Sequence, residues 1–240
     1  MIGKTMRCFF CNDITGTGTF VKLPDREERH LFNTIRGRLG DTVQLIDGKG
    51  ILATAKVAED KKLCVLDVRE FKEPGIKVHL FVSPPKHNKM DQMLTQCCEI
   101  GIWRITLVIM EHSVVRPEEG IVSEKWNVHL IEGCKQSRNP FIPILEEVIT
   151  FPMMLERIAE GKLSAFFGAV EDGTVGNAIS TVAGNDIAWI VGPEGGFSEN
   201  EESLMKDAGF TPFRIGKWIL RTETAAVAGA ALLMNGGNKC

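Results

Sequence analysis

Ile187-Ala188-Trp189-Ile190-Val191-Gly192-Pro193-Glu194-Gly195-Gly196-Phe197-Ser198 runs from a wholly apolar stretch into a glycine turn, and Ser198-x-x-Glu201 then opens a helix with a capping box. Five apolar residues without polar alternation are what a parallel strand buried on both faces requires. Gly209 ends the predicted helix. A second unit of the same kind follows at once: a short strand at Phe213–Ile215, a glycine turn at Gly216, and a helix from about Thr222 to Met234, stopped by Gly236-Gly237.

Working back toward the N-terminus, the same alternation continues. Strands are predicted at Ser164–Val170, Ile105–Met110 and Val78–Ser83, with helices beginning at Pro152 and running from about Ser123 to Lys135. Asn88 is the expected cap of a further helix, with Met90, Met93, Leu94 and Cys97 on one face and Gly101 as its stop. Alternating strand and helix over this length predicts a parallel sheet covered on both faces.

Upstream of Gly75 the rhythm changes. Arg7–Phe10, Thr42–Ile46, Ile51–Val57 and Leu63–Val68 read as short strands, with Asp47-Gly48-Lys49-Gly50 as a turn between two of them. One helix, Asp25–Arg36, carries Leu31, Phe32 and Ile35 at helical spacing. The prediction is a small β-barrel-like domain over residues 1–73, a linker within Glu70–Gly75, and an α/β domain over 76–240.

The 240 residues are 44% apolar with a net charge of −3, so bulk electrostatics advertise no nucleic-acid partner. The charge is uneven: residues 1–75 hold 13 Lys and Arg against 11 Asp and Glu, while residues 76–240 hold 15 against 20. That mild asymmetry is compatible with an RNA-facing N-terminal part. Seven cysteines, an odd number, and the absence of a signal-like opening or a membrane-length apolar run predict a reduced, cytoplasmic setting without a membrane. Cys8-x-x-Cys11 lacks a second pair at metal spacing, so two core thiols are the leading reading over a metal or redox site. Cys97 and Cys98 read as small core residues.

Two glycine turns, each following a strand, are where open α/β sheets bind small ligands, and the prediction places them at the ends of adjacent strands. Pro193 stiffens the first turn, and Gly195 and Gly196 leave room for a flat ligand against the backbone, as an adenine or ribose would need. A glycine-rich connection with no ligand is the competing reading. In the second turn, Arg221 and Glu223 sit where a helix N-terminus leaves N–H groups free, although Glu223 also suits a plain first-turn acid with Arg221 as its surface partner. Ala225, Ala226, Ala228, Gly229, Ala230 and Ala231 make a helix of little side-chain bulk, suited to close packing. The P-loop, G-x-S-x-G and H-x-x-x-H patterns are missing from the sequence, and Gly168–Gly176 does not spell G-x-G-x-x-G. A nicotinamide-dependent oxidoreductase using that last turn is the weakest surviving alternative.

Gly192-Pro193-Glu194-Gly195-Gly196-Phe197-Ser198-x-x-Glu201 followed by Ile219-Leu220-Arg221-Thr222-Glu223-Thr224-Ala225 closely resembles the RsmE family of SPOUT methyltransferases. Weaker matches span the chain: Arg7, His30-Leu31, Ile35-Arg36, Gly40-Asp41, Asp47-Gly48, Lys86, Glu99-Ile100-Gly101, Ser113-Val114-Val115, and Gln136-Ser137-Arg138 with Pro143. The resemblance implies an N-terminal PUA-like RNA-binding domain and a SPOUT α/β domain whose trefoil knot falls in about 187–235. It implies S-adenosylmethionine as methyl donor, held by Phe167, Gly168, Gly192, Glu194, Gly195, Gly196, Ile215, Gly216, Ile219 and Leu220. It further implies a homodimer, no metal, and methylation of N3 of a uridine in 16S ribosomal RNA (conventionally numbered 1498), free or in the small subunit. Arg221 and Glu223 are the implied catalytic pair, and Arg7, Arg36, Lys86 and Arg138 the implied RNA contacts. Phe197 and Trp218 are aromatic candidates for stacking an extruded base. The chain departs from the family at Gln96 (usually Lys), His112 (usually Arg), Ile35 (usually Leu) and Trp218 (usually Arg). A non-catalytic RNA-binding assembly protein, or a SPOUT methyltransferase acting on another RNA, are the alternatives.

Overall fold

The computed structural model describes residues 6–121, 123–169, 174–175 and 186–236. The chain divides into two units, one made of Met1–Glu73 with Leu130–Ile142 and the other of Pro74–His129 with Pro143–Cys240.

The first unit holds strands β1 (Cys8–Phe10), β2 (Phe20–Val21), β3 (Thr42–Ile46), β4 (Ile51–Val57) and β5 (Leu63–Glu70) in one sheet, ordered β1-β3-β4-β5-β2. Only β1 and β3 run parallel; the other neighbours are antiparallel. Thr42–Ile46 and Ile51–Val57 form at the residues the sequence predicts because their turn is built locally. Asp47 accepts hydrogen bonds from the Lys49 and Ile51 N–H groups, both at 2.8 Å, and Gly48 takes φ +80°. The inward side chains Phe9, Leu31, Leu45, Leu63 and Val65 pack into this unit's core.

The helix predicted over Asp25–Arg36 is regular only over α1 (Asp25–Arg29). It continues as one π turn, His30–Thr34, closed by the bond from Ile35 N–H to the His30 carbonyl, and stops at Arg36 with φ +59°. A π turn adds one residue per turn and so rotates the following side chains relative to an α-helix.

Residues 130–142 depart from the linear boundaries 1–73 and 76–240, because they return to the first unit. Ion pairing and backbone bonds hold them there. Lys135, only 5% exposed, places its Nζ 2.9 Å from Glu27 Oε1 and 2.9 Å from Glu132 Oε1. Glu27 Oε2 in turn accepts from the Phe10 N–H at 3.1 Å. Gly50 N–H donates to the Pro140 carbonyl and Ile142 N–H to that of Gly48, both at 3.0 Å. Removing one partner of a buried ion pair leaves an uncompensated charge. Lys135→Met therefore lowers stability by about 3–5 kcal/mol, read by urea denaturation. Glu27→Gln with Lys135→Met recovers part of the loss if the pairing is the cause.

The second unit contributes β6 (Lys77–Val82), α2 (His87–Ile100), β7 (Arg104–Ile109), β8 (Ile144–Leu145), β9 (Ile149–Thr150), α4 (Phe151–Glu160), β10 (Ser164–Gly168), β11 (Thr174–Val175), β12 (Asp186–Val191), α5 (Glu199–Asp207), β13 (Thr211–Arg214) and α6 (Thr222–Gly236). Helix α3 (Glu124–Ser137) begins in this unit and ends in the returning segment. The sheet is parallel throughout, ordered β11-β13-β10-β12-β6-β7-β8, with β9 also paired to β7. Ile187–Val191 are all buried, as the apolar run requires.

Several predicted boundaries move by one or two residues, among them the following three. Asn88 lies inside α2, whose cap is Lys86: the first helical bond runs from Met90 N–H to the Lys86 carbonyl, and no side chain caps it. Gly101, at φ +85°, does end that helix. Helix α4 starts at Phe151, which makes Pro152 its second residue. The strand predicted at Phe213–Ile215 is Thr211–Arg214, so Ile215 already belongs to the turn. Val170, Gly173, Gly176 and Gly237 lie outside the described residues.

The alanine-rich helix α6 packs close to β12. Trp189, with no exposed surface, lies against Gly229, where an added Cβ would sit 2.3 Å from the indole Cζ2. The indole Nε1 donates to the Ala225 carbonyl at 3.2 Å.

Candidate active site

The two glycine turns emerge from strands that are not neighbours. β10 lies between β12 and β13, which corrects the expectation of adjacent strands. Its end becomes part of the site: Gly168 and Ala169 line the same cleft as the turns, and the Ala169 N–H is bonded to the Phe213 carbonyl at 3.1 Å. A side chain at Gly168 would project into contact with Trp189, 3.5 Å from its Cη2.

The cleft measures about 300 Å³, the small end of the range for ligand sites. Of the residues the resemblance assigns to the methyl donor, Gly168, Gly192, Glu194, Gly195, Gly196, Ile215, Gly216, Ile219 and Leu220 all line it. Phe167 does not. It is fully buried and meets Phe197 edge-on, ring centroids 6.0 Å apart, so it supports the wall from behind.

Each wall is held by specific bonds. Thr222, the first residue of α6, donates its hydroxyl to the Gly192 carbonyl at 3.1 Å and so ties the second turn to the first. Glu201 fixes the exit of the first turn: Oε2 accepts from Ser198 N–H at 3.0 Å, completing the predicted capping box, and Oε1 accepts from Glu111 N–H at 2.9 Å. Beside Glu111, His112 packs against the glycines. Its Nδ1 lies 3.2 Å from the Gly196 carbonyl, and a Cβ on Gly195 would come 3.2 Å from its own Cβ. The departure from arginine at this position thus places an imidazole against the first glycine turn. In the second turn, Arg214 donates to the carbonyls of Gly216 and Lys217 at 2.9 and 3.1 Å.

Sequence reasoning missed Thr222, Glu202 and Arg214. Only Thr222 carried a local signal, a hydroxyl residue at a helix start.

Arg221 and Glu223 stand outside the cleft lining, in different environments. Arg221 is exposed at the head of α6, whereas Glu223 is buried and pairs with Lys89 of α2, Nζ to Oε1 at 3.4 Å. The partner shown for Glu223 is therefore Lys89 rather than Arg221.

The residues expected to touch RNA divide between the units. In the first unit, Arg7 and Arg138 line a cleft of about 630 Å³ together with His30, Ile35, Lys135 and Gln136. Arg36 follows Ile35, is exposed, and like Arg138 adopts positive φ (59° and 60°). In the second unit, Lys86 is exposed at the start of α2. Gln96 lies within α2 and Ile35 packs against the first unit's core.

Cys8 and Cys11 offer no reactive thiolate: burial pushes the Cys8 thiol up to about 12 and raises that of Cys11. Among the described residues no group of three His, Cys, Asp or Glu side chains is arranged to hold a metal.

Residues 72–234 match the model of the RNA methyltransferase domain. Ribosomal RNA small subunit methyltransferase E of Aquifex aeolicus is 31% identical over 71% of this chain and 74% of its own length. This chain belongs to the RsmE family of RNA methyltransferases. The enzyme of the same name from Synechocystis is 27% identical over 88% of this chain and 71% of its own. The crystal structure of that methyltransferase from Neisseria gonorrhoeae, bound to S-adenosylmethionine, superposes with a TM-score of 0.84 at 29% identity, covering 96% of this RsmE-family chain and 97% of its counterpart.

Proposed function

We propose that this protein transfers the methyl group of S-adenosylmethionine to N3 of a uridine in 16S ribosomal RNA, at the position conventionally numbered 1498. The observation that carries the reading is the single cleft made by both glycine turns and the end of β10, joined by the Thr222–Gly192 bond, in a chain of the RsmE family. The residues fit the donor. Phe197, Ile219 and Leu220 give apolar walls for an adenine, and the glycine backbone permits close approach. Glu194 and Glu202 bring carboxylates suited to ribose hydroxyls and a cationic centre. S-adenosylmethionine, when bound, supplies a sulfonium methyl group that needs positioning more than activation.

The chain's own task is then to present the acceptor. Uridine N3 carries a proton and is hidden in base pairs, so the base must be unpaired and N3 deprotonated. Arg221, exposed beside the cleft, holds a uracil carbonyl or a phosphate and favours the anionic base. Glu223, paired with Lys89, orients the head of α6 first and is the candidate proton acceptor second. Arg7, Arg36, Arg138 and Lys86 position the RNA through its phosphates.

The proposal extends to architecture. The first unit serves as a PUA-like RNA-binding domain, supported by its five-stranded mixed sheet and its arginine-lined cleft. The turns after β12 and β13 belong to a trefoil knot, supported by the placement of β13 beyond β10. The enzyme works as a cytoplasmic homodimer with the alanine-rich α6 near its interface. Among the described residues no helix is long and apolar enough to cross a membrane.

Titration calorimetry with S-adenosylmethionine and with NAD, followed by methyl transfer to unmodified small-subunit RNA and to assembled subunits, tests the reading. Binding of S-adenosylmethionine alone and recovery of N3-methyluridine are expected. Donor binding without transfer to either substrate would leave a non-catalytic RNA-binding protein or a different RNA target, and NAD binding would revive the oxidoreductase. Thr222→Val removes one hydrogen bond that joins the two turns. It weakens donor binding about three- to ten-fold, in keeping with roughly 1 kcal/mol for such a bond, with little change in Tm.

A further inference from the structure

The cleft has two aromatic residues, and the structure separates their roles. Phe197 is committed to the fold: its ring meets Phe167 edge-on and lies 3.2 Å from where a Gly192 Cβ would be. Trp218 is the opposite case. It lines the same cleft yet is 76% exposed, the most exposed aromatic among the described residues, and Ile219 beside it is 80% exposed.

This exposure is held in place. The Arg214 guanidinium bonds to the two carbonyls just before Trp218, which fixes the backbone from which the indole projects. The Lys217 ammonium lies over the ring, 5.0 Å from its centroid, and Arg221 is exposed three residues on in sequence. A projecting aromatic ring with a cation against it is an arrangement that binds an unpaired nucleobase, stacking the base while the cation holds its oxygens or the adjoining phosphates.

We infer that Trp218 is the stacking platform for the base extruded toward the methyl donor, so that this chain captures its acceptor by an indole at a position where the family usually carries arginine. The inference rests on the methyl-transfer reading above and adds to it the side chain that holds the acceptor.

The test uses full-length protein, unmodified small-subunit RNA and assembled subunits as acceptors, and three variants: Trp218→Ala, Trp218→Phe and Trp218→Arg. Base stacking on an aromatic is worth about 1–3 kcal/mol. Trp218→Ala is accordingly expected to lower kcat/KM for RNA about ten- to a hundred-fold, a larger factor than any accompanying rise in the calorimetric dissociation constant for S-adenosylmethionine, whose cleft Trp218 also lines. Trp218→Phe keeps a π-face and retains activity within a few-fold, whereas Trp218→Arg falls between the two. Unchanged kcat/KM in Trp218→Ala, or a loss of donor affinity as large as the loss of kcat/KM, would overturn the inference. So would dissociation of Trp218→Ala into monomers by light scattering at the assay concentration, which would assign the exposed face to a second copy of the chain. If the wild-type protein binds the donor but methylates neither acceptor, the methyl-transfer reading fails and this inference with it. If the wild type is active and Trp218→Ala matches it, only the inference fails.

Discussion

Arg221→Ala is expected to reduce RNA methylation by about 10²- to 10³-fold, the effect of removing one group that stabilises developing negative charge, with donor affinity nearly unchanged. The split follows from position. Arg221 is exposed at the head of α6 and stands outside the lining of the cleft proposed for the donor, so no contact within that cleft is lost with it. On the proposed reading the charge it offers is directed to the acceptor, whose N3 would have to shed a proton before it attacks. Arg221→Lys retains the charge without the planar fork and recovers only part of the rate. Single-turnover kinetics with saturating donor, beside calorimetry of donor binding, give both numbers. Equal retention of both by Arg221→Ala would remove the residue from the mechanism. The pH–rate profile adds a check, since a cation that favours the uridine anion lowers the apparent pKa of the acceptor step, and its loss moves the rising limb to higher pH.

Gly229→Ala is the second large effect, this time on stability. A Cβ at Gly229 meets three atoms of the Trp189 indole, at 2.3, 2.4 and 2.8 Å, far inside any tolerable contact. Trp189 is fully buried in β12 and bonded to the Ala225 carbonyl, so neither the strand nor the helix yields cheaply. Overpacking of this kind together with a weakened hydrogen bond costs about 2–4 kcal/mol, or roughly 5–15 °C in Tm. Trp189→Phe removes the indole atoms that clash. The pair Gly229→Ala with Trp189→Phe is therefore less destabilised than the sum of the single changes, a coupling that a double-mutant cycle reads directly. Strict additivity would mean that the helix shifts as a body instead. Because Trp189 lies two residues before the end of β12, which leads to Gly192, the single variant is also expected to weaken binding in the cleft proposed for the donor.

What the sequence makes legible follows how local each signal is. The Ser198–Glu201 capping box depends on residues three apart, and it appears at the predicted positions. The Asp47 turn and the two strands it joins depend on neighbours and likewise form where predicted. The all-apolar Ile187–Val191 run has no alternative to a buried strand. Two-residue strands such as Phe20–Val21 and Ile144–Leu145 carry no periodicity and were not foreseen. The π turn after Arg29 escapes prediction because Leu31, Phe32 and Ile35 satisfy the helical spacing whether or not one residue is added.

The site divides in the same way. The glycine turns could be read from their composition, and nearly all their residues meet in one cleft. That β10 would lie between β12 and β13 could not be read, since strand order is decided by packing between distant segments. Lys89 and Glu223 illustrate this, for nothing in either local sequence announces the other. Trp218 stands out in the sequence as a departure from the family. Its exposure and its bracing by Arg214 become visible only once the turn is folded.

The return of Leu130–Ile142 to the first unit bears on how the chain matures on the ribosome. Glu27 is made early, but the lysine that neutralises it emerges more than a hundred residues later. At translation speeds of roughly 5–20 residues per second, the nascent N-terminal sheet waits several seconds or longer with an unmatched carboxylate and with the Gly48 and Gly50 backbone groups unbonded to their later partners. A polypeptide halted at residue 73 would never resolve that state. The N-terminal segment is thus a poor candidate for excision or for transplantation into another protein, and its completion is timed by synthesis of residues 74–129 of the second unit, which interrupt it.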